Sequence, residues 1–393
     1  MAAEVAAGDD EADILIIGAG IVGALIGLRL AQCGQDVLVL DAADIGAGAS
    51  GANAGSLHVQ INSHFAIATE AHVIRGVDHA APLHVAAIES WRRLNDELGD
   101  SIELGCEGGL MVAMADRTDL LAAMLDRQRR LGIPVELVTG SAVRRLAPYL
   151  SPEVEAVLFC ALEGRVNPIL ATPAAIRAAR RAGARFAFST PVLDLTRLTG
   201  SFVVRTPTGV VRSRIVVNAA GAGAADIAKR AGVFLPVEAR PFLMNVTEAT
   251  SAFVPHLVQQ AGQRLTLKQA RRGNLIIGGG WPSTYGERGV EVQRASVEGN
   301  LAVALALVPR LGRINLLRSW GADIYRVPDI CPVLGPSAAC PGFFVAAAVP
   351  NGYTLAPLCA EITAALVQGN AHPLFHDGLS VDRYPPSIRH GIQ

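Results

Sequence analysis

Three closely spaced glycines near the start of the chain constrain its fold more than any other feature. These glycines are Gly18, Gly20 and Gly23. An apolar run, residues 13–17, leads directly into them, and a helical pattern follows. A second apolar run, residues 36–40, then ends at Asp41. This order predicts a βαβ unit that binds a dinucleotide: a strand, a glycine turn, a helix, a second strand and an acid.

The conspicuous residues of this unit each have a physical task. Gly18 permits the tight turn, Gly20 lets the backbone approach a pyrophosphate, and Gly23 lets the helix and the strand pack closely. The free N–H groups at the start of the helix, with their partial positive charge, favour the phosphates. Asp41 stands where a carboxylate accepts hydrogen bonds from the adenosine ribose, and its charge disfavours the 2′-phosphate of NADP.

The segment after Asp41 distinguishes FAD from NAD. Residues 46–55 contain only glycine, alanine, serine and asparagine, without lysine or arginine. This loop is too long and too polar for the quick return to a third strand that NAD domains make. Its small residues, with Ser50, Asn53 and Gly55, can lie along an elongated cofactor and face a diphosphate or a flavin edge. We therefore predict FAD; the alternative interpretation of the loop is a flexible surface linker.

Composition excludes several other classes of function. A formal net charge of −1, with 18% charged residues, provides no basic surface for nucleic acid. The longest charge-free apolar stretch, residues 14–28, is too short to span a membrane. Residues 1–13 are acidic and lack the basic region of a signal peptide. We expect no nucleic-acid partner, no transmembrane segment and a cytoplasmic location.

The cysteines argue against a metal centre. Six of them are scattered along the chain, without a C-x-x-C pair or a neighbouring ligand cluster. Three of them lie inside apolar or helical patterns, where a small buried apolar residue is expected. We therefore predict no metal site, no iron–sulfur cluster and no disulfide framework in this chain. Such a pattern fits a reducing compartment.

The order of the predicted elements indicates two interleaved domains. The chain starts with βαβ, is rich in strand patterns between residues 236 and 326, and returns to a strand and a helix near residue 356. Helices are predicted at 83–98 and 356–368. The fold class is α/β plus antiparallel β, with a discontinuous Rossmann-like FAD-binding domain and an inserted substrate domain on an antiparallel sheet. The predicted boundaries are 10–85, 141–225 and 327–380 for the FAD-binding domain, and 86–140 and 226–326 for the substrate domain.

Several strings, taken in order with Asp41, resemble one family of flavoproteins. They are GAGIVG at 18–23, GASGANAG at 48–55, VNAAGAGA at 217–224 and GYTLAP at 352–357. The chain is thereby similar to the D-amino-acid oxidase type of FAD-dependent oxidoreductase, which includes glycine and sarcosine oxidases. The resemblance implies non-covalent FAD, bound by the residues already named. It further implies contacts to the adenosine from Ala219 and Gly221, and contacts to the flavin from Gly352 and Thr354.

Shorter strings are similar to a heteromeric subgroup. They are GANAGSLHVQ at 51–60, EGRVNP at 163–168, MNVTE at 244–248 and GGGW at 278–281. These strings resemble the B subunit of opine oxidases and related D-hydroxyproline dehydrogenase and hydrogen-cyanide-synthase subunits. The resemblance implies hydride transfer from the amine carbon of a small amino-acid-like substrate to flavin N5. It also implies partner redox subunits that carry an iron–sulfur centre or a second flavin or nucleotide.

One departure from the family pattern concerns the substrate site. The arginine that holds the substrate carboxylate in the oxidases falls on Ile324. The nearby cationic candidates for this role are Arg326, Arg240 and Lys268. Each of them has a plain surface location as its alternative interpretation. At the flavin we predict catalytic roles for His58 and Tyr353, together with Arg326; a structural histidine and a packing tyrosine are the alternatives.

Three functions remain open from the sequence. The first is the catalytic FAD subunit of a heteromeric dehydrogenase for an opine, D-hydroxyproline or a similar secondary-amine acid. The second is a stand-alone oxidase of a small amino acid that passes electrons to dioxygen. The third is a flavin-binding structural subunit without chemistry of its own, which the missing arginine suggests.

Overall fold

The computed structural model describes residues 9–114, 117–287 and 289–384, so the first eight residues of the acidic N-terminal stretch lie outside it. The strands are β1 (Asp10–Ile17), β2 (Val37–Leu40), β3 (Ser56–Leu57), β4 (Gly109–Ala113), β5 (Glu136–Thr139), β6 (Ala156–Cys160), β7 (Gly164–Arg165), β8 (Arg185–Ala187), β9 (Asp194–Leu198), β10 (Ser201–Thr206), β11 (Gly209–Asn218), β12 (Glu238–Ala249), β13 (Leu257–Gln260), β14 (Thr266–Gln269), β15 (Asn274–Gly278), β16 (Thr284–Gly286), β17 (Gly289–Glu291), β18 (Leu316–Arg326), β19 (Val333–Pro336) and β20 (Phe343–Ala347). The helices are α1 (Ile21–Gln32), α2 (Ala49–Ala52), α3 (Ser63–Ala66), α4 (Ala71–Glu97), α5 (Thr118–Arg130), α6 (Ser141–Leu146), α7 (Pro168–Arg181), α8 (Ala224–Arg230), α9 (Arg294–Leu307) and α10 (Gly352–Val367).

The first sheet contains the predicted βαβ unit. Its strands run in the order β19-β20-β11-β1-β2-β8, and β1 pairs in parallel with both β2 and β11. The hairpin of β9 and β10 extends this sheet antiparallel to β11. Helix α1 packs against α7 and α10. Every residue of β2 is buried, as expected for a parallel strand that is covered on both faces.

The second sheet is mainly antiparallel. Its order is β18-β12-β15-β14-β13-β4-β6-β5, and the parallel pair in it joins β13 to β4. Its strands come from two separate stretches of the chain, one between β3 and β8 and the other between β11 and β19. The first sheet is therefore interrupted twice by the second. This arrangement confirms the predicted fold class of a parallel sheet combined with an antiparallel one.

The stretch 141–225 contains one strand that pairs with the second sheet. Strand β6 pairs antiparallel with β4 and β5 in the second sheet, although residues 141–225 were expected to follow the first. The reason is local, because β5 and β6 form neighbouring antiparallel strands whose buried residues, such as Val157 and Leu158, join the second sheet. The domain boundaries themselves stay a prediction.

Two helices begin earlier than the sequence pattern indicates. Helix α4 starts at Ala71 instead of residue 83, and Pro82 lies inside it. Helix α10 starts at Gly352 instead of residue 356, so residues 352–355 form its first turn. In both cases tertiary packing outweighs the local proline signal, since α4 and α10 pack against each other. Among the described residues, no helix combines the length and the apolar character required to cross a bilayer.

Candidate functional site

A cavity of about 790 Å³ extends from the turn after β1 to the strands of the second sheet. We call its two parts the glycine end and the strand end. The glycine end is formed mainly by residues of the segments 18–22, 41–54 and 219–223. The strand end is formed mainly by residues of β12 and β18 and by the segments 58–65 and 349–354. Both sheets therefore contribute to one continuous space.

The turn between β1 and α1 requires its glycines. Gly18 has a φ of +109°, and a Cβ there would collide with the carbonyl oxygen of Ala219. A Cβ at Gly23 would collide with the carbonyl oxygen of Gly18. Gly18 and Gly20 line the cavity, whereas Gly23 lies behind it. The close approach of strand and helix thus brings the start of α1 to the cavity, where Gly20 and Val22 line it.

Asp41 lies at the end of β2 and lines the cavity. One of its carboxylate oxygens accepts the N–H of Ala19 at 2.7 Å, and the other accepts the N–H of Ala43 at 2.9 Å. Asp41 therefore holds the glycine turn in place, a role that the sequence pattern does not reveal. A carboxylate has about four acceptor positions, so capacity for ribose hydroxyls remains.

The small-residue loop folds back onto the start of α1. Ser50 Oγ accepts the N–H of Ile21 at 3.0 Å, so its own hydrogen stays free for another acceptor. Asn53 lines the cavity, and its side-chain oxygen accepts the N–H of Gly55 at 2.6 Å. Gly55 has a φ of +73° and lies against the carbonyl oxygen of Val166. In contrast to the other two, Gly55 does not line the cavity and serves to bring two backbones together.

The remaining predicted cofactor residues also lie at the cavity. Ala219 and Gly221 line the glycine end, beside β1. Gly352 and Thr354 line the strand end, in the first turn of α10. Thr354 Oγ1 accepts the backbone N–H of His58 at 3.0 Å, which ties the segment after β3 to α10. The structure thus brings residues from four distant parts of the chain to one space.

His58 and Tyr353 both line the cavity but differ in their surroundings. Burial, with smaller contributions from the charges of Lys268 and His84, lowers the pKa of His58 to about 3. Its Nδ1 atom is buried and has no hydrogen-bond partner among the described residues. The Tyr353 hydroxyl lies 3.3 Å from the carbonyl oxygen of Pro168, and burial raises its pKa above the usual range. Both side chains are therefore uncharged at neutral pH.

The three cationic candidates lie in different places. Arg326 lines the strand end, close to Ile324 on the same strand. Arg240 is exposed, pairs with Glu238 at 3.0 Å and does not line the cavity. Lys268 is buried behind the wall, and its ammonium donates to Ser56 Oγ at 2.6 Å. Burial, assisted by the charge of Arg165, lowers the pKa of Lys268 well below its usual range.

A buried glutamate that the sequence reasoning did not single out supports the cavity wall. Glu163 accepts the backbone N–H groups of Val59 and Gln60, each at 2.9 Å, and the side-chain amide of Gln60 at 2.9 Å. Burial raises the pKa of Glu163 to about 7. Its position within the string EGRVNP was visible in the sequence, but its burial depends on strands far away. Glu163 holds the segment that carries His58.

These residues fit FAD. The glycines let the turn pack closely against its own backbone, and Gly18, Gly20 and Val22 at the start of α1 line the cavity. Asp41 stands beside them for a ribose, and the cavity continues far enough to reach α10 and β18. An extended dinucleotide with a flavin at the strand end is accommodated by this shape.

Comparison with known proteins gives the family. Residues 13–366 match the sequence model of the FAD dependent oxidoreductase (DAO) family, and the chain belongs to that family. It is 29% identical over 369 residues to the B subunit of opine oxidase from Agrobacterium tumefaciens (strain Ach5), and this match covers 90% of this chain and 92% of the relative. It is also 29% identical over 374 residues to glycine oxidase of Geobacillus kaustophilus (strain HTA426), a match that covers 91% and 93%.

A solved structure agrees with the same family. The crystal structure of glycine oxidase from Geobacillus kaustophilus superimposes with a TM-score of 0.85 and 25% sequence identity. The match covers 96% of this chain and 100% of that one. The protein is thus an FAD-dependent oxidoreductase, and the predicted cofactor is confirmed at the level of the family.

Proposed function

We propose that the protein is the FAD-bearing catalytic subunit of a heteromeric dehydrogenase. Its substrate is an amino acid or a secondary-amine acid, such as an opine or D-hydroxyproline, and the bond oxidised is C–N. The observation that carries this proposal is the continuous cavity, because it places a cofactor site and a small-molecule site in one space. Bound FAD supplies the hydride acceptor, flavin N5.

The side chains at the strand end orient the substrate and keep water out. His58 is a weak base, since its pKa is near 3, and Tyr353 keeps its proton. Neither side chain is suited to remove a proton from the substrate at neutral pH. The contribution of the protein is therefore position and electrostatic environment, while the cofactor carries the redox chemistry.

Arg326 is the candidate that the geometry favours as the anchor of the substrate carboxylate. It lines the strand end and lies on β18, two residues beyond Ile324. Ile324 occupies the position at which the family pattern has its arginine. Arg240 points away to Glu238, and Lys268 is separated from the cavity by Ser56. A guanidinium presents a planar pair of donors that matches a carboxylate.

The heteromeric part of the proposal is supported by the names of two relatives. One is the B subunit of opine oxidase, and another is the beta subunit of sarcosine oxidase from Rhizobium meliloti (strain 1021), which is 25% identical over 334 residues. Both names denote one subunit of a larger enzyme. We propose that electrons leave the flavin for partner subunits with an iron–sulfur centre or a second flavin or nucleotide.

The similarity to glycine oxidase favours a second candidate, a stand-alone oxidase that uses dioxygen. Anaerobic mixing of the purified chain with octopine, D-hydroxyproline, sarcosine or glycine separates the candidates. We expect the correct substrate to bleach the flavin once, with little turnover when air is admitted. Steady peroxide release at about ten or more turnovers per second, which is ordinary for an enzyme, would establish the oxidase instead. A flavin that no amine bleaches would favour the structural subunit.

A further inference from the structure

Lys268 is a buried lysine that contacts no carboxylate in the described part of the chain. It lies on β14, is 3% exposed, and is paired with Ile276 on β15. Its nitrogen forms its hydrogen bond with Ser56 Oγ, at 2.6 Å. The charge that acts on it comes from Arg165 on β7, which is also a cation. Burial without an opposite charge favours the uncharged amine, in agreement with the lowered pKa of Lys268.

Ser56 connects this lysine to the cavity. It lines the cavity, and it lies on β3, which pairs with β7. Its carbonyl oxygen accepts the Thr354 hydroxyl at 3.3 Å, which holds it beside the first turn of α10. A hydroxyl has one donor and two acceptor positions, so Ser56 Oγ can contact Lys268 and a bound ligand at the same time. Ser56 is therefore placed to pass a proton from the cavity to Lys268.

The proposed reaction requires such a proton acceptor. An amine acid is an ammonium ion at neutral pH, and its nitrogen needs a free electron pair when hydride leaves the neighbouring carbon. The pKa of His58 is about 3, and Tyr353 keeps its proton. Both ring nitrogens of His84 are already hydrogen-bonded. Asp323 also lines the cavity, but a carboxylate is a weaker base than an uncharged amine.

We propose that Lys268, acting through the Ser56 hydroxyl, accepts the proton that the substrate amine loses before its oxidation. The Ser56 hydroxyl proton moves to Nζ of Lys268, and a proton of the substrate ammonium takes its place on Ser56 Oγ. The electron pair of the broken N–H bond stays on the substrate nitrogen, and no other reactant takes part. This inference rests on the proposed function, because it assumes an amine as the substrate, and it adds the path of the proton.

The pH dependence of anaerobic flavin bleaching tests this path, with octopine, D-hydroxyproline, sarcosine and glycine as the amines offered. Lys268→Met keeps an unbranched apolar side chain and removes the nitrogen. We expect it to bleach about one-hundred-fold or more slowly than the wild-type protein at pH 7, as for a lost general base. At pH 10 much of the amine is already unprotonated, so the difference should fall below about ten-fold.

Two further variants complete this experiment. Ser56→Ala removes the hydroxyl that passes the proton, so it should show the same slow bleaching at pH 7 and the same recovery at pH 10. Lys229→Met is the matched control, because Lys229 is an exposed lysine on α8. It should bleach at the wild-type rate at both pH values.

The unfolding equilibrium tests the uncharged state of Lys268 without any substrate. The pKa of Lys268 in the folded protein is well below its ordinary value of 10.5. The folded state therefore binds this proton less readily than the unfolded chain does, and the stabilisation is present above pH 10.5 and lost as the pH falls. Between pH 8 and pH 10, the unfolding constant of the wild-type protein should decrease about fifty-fold more than that of Lys268→Met, as measured with urea.

Two results would overturn the inference. One is a bleaching rate of Lys268→Met that equals the wild-type rate at pH 7 or is reduced equally at pH 7 and pH 10. The other is an equal change of the unfolding constant in both proteins, since Lys268 would then be charged and unable to accept a proton. If no amine bleaches the flavin, the proposed function fails instead, and the unfolding constants still decide whether Lys268 can accept a proton.

Discussion

At the glycine end the residues that line the cavity are mostly glycine and alanine, and at the strand end most of them have larger side chains. Gly18 and Gly20 line this end, and the carboxylate of Asp41 accepts the N–H of Ala19 in the same turn. At the strand end the wall consists of side chains such as His58 and Arg326, supported by residues one layer behind. Glycine and alanine let a cofactor lie close to the backbone, whereas larger side chains determine which substrate the strand end accepts.

The largest effect is expected from Asp41→Ala, which should weaken FAD binding at the glycine end. The variant loses the acceptor for the ribose and also the two bonds to the N–H groups of Ala19 and Ala43. A charge-assisted hydrogen bond is worth about 1.5–3 kcal/mol, so the Kd for FAD should rise about ten- to one-hundred-fold or more. FAD titration of the apoprotein measures this change. Asp44→Ala is the matched control, because Asp44 lines the same end, and within the described part of the chain its carboxylate accepts only the neighbouring N–H of Ile45. Unchanged affinity in Asp41→Ala would show that the ribose is held elsewhere.

The next largest effect is expected at the strand end, where His58 makes the stability of the protein depend on pH. The pKa of His58 is about 3 in the folded protein, below its ordinary value of 6.5. The folded state therefore binds this proton less readily than the unfolded chain does, and the stabilisation is present above pH 6.5 and lost as the pH falls towards 3. Between pH 7 and pH 5, we expect the wild-type protein to lose about 2 kcal/mol more unfolding free energy than the His58→Asn variant loses. Urea unfolding at both pH values measures the unfolding free energy. An equal loss of unfolding free energy in the two proteins would contradict the burial of an uncharged His58.

Arg326→Ala tests the strand end through substrate binding. Loss of a charge-assisted contact to the substrate carboxylate should raise KM about ten-fold or more, with a smaller change in kcat. Arg240→Ala is the control, since that side chain pairs with Glu238 outside the cavity and its removal should leave KM unchanged. Lys268→Ala completes the set of candidates. Wild-type KM in all three variants would assign the carboxylate to another segment or another chain.

The two ends also differ in how well the sequence predicts them. Most of the glycine end comes from one short stretch of the chain, so the spacing from Gly18 to Asp41 predicts its two strands and its ligand, whereas the segment 219–223 joins it through the pairing of β1 with β11. The strand end depends on pairing between β12 and β18, which lie about seventy residues apart, and no local pattern records that pairing. Arg240 and Ile324 are opposite each other in that pair, yet only Ile324 lines the cavity. Burial of Lys268 and Glu163 likewise follows from long-range contacts.

The smallest effect is expected at Ser50, where a side chain meets the backbone wall. Ser50 Oγ accepts the N–H of Ile21 at 3.0 Å and can donate its hydrogen to a diphosphate. In Ser50→Ala the freed N–H of Ile21 can bind the phosphate directly, so the loss is partly offset. We expect the Kd for FAD to rise by less than about ten-fold, as for one ordinary hydrogen bond.

The same serine offers a sharper test of whether this end is shaped by the backbone. A Cβ at Gly20 would lie 3.0 Å from Ser50 Oγ, tighter than ordinary contacts. Gly20→Ala should therefore weaken FAD binding partly through this contact and partly through the cofactor itself. Ser50→Ala removes the first contribution, so the double variant should bind FAD better than the sum of the two single effects predicts. Strict additivity of the two changes, measured by FAD titration of the four proteins, would mean that Gly20 serves the cofactor alone and that Ser50 does not limit the space at the turn.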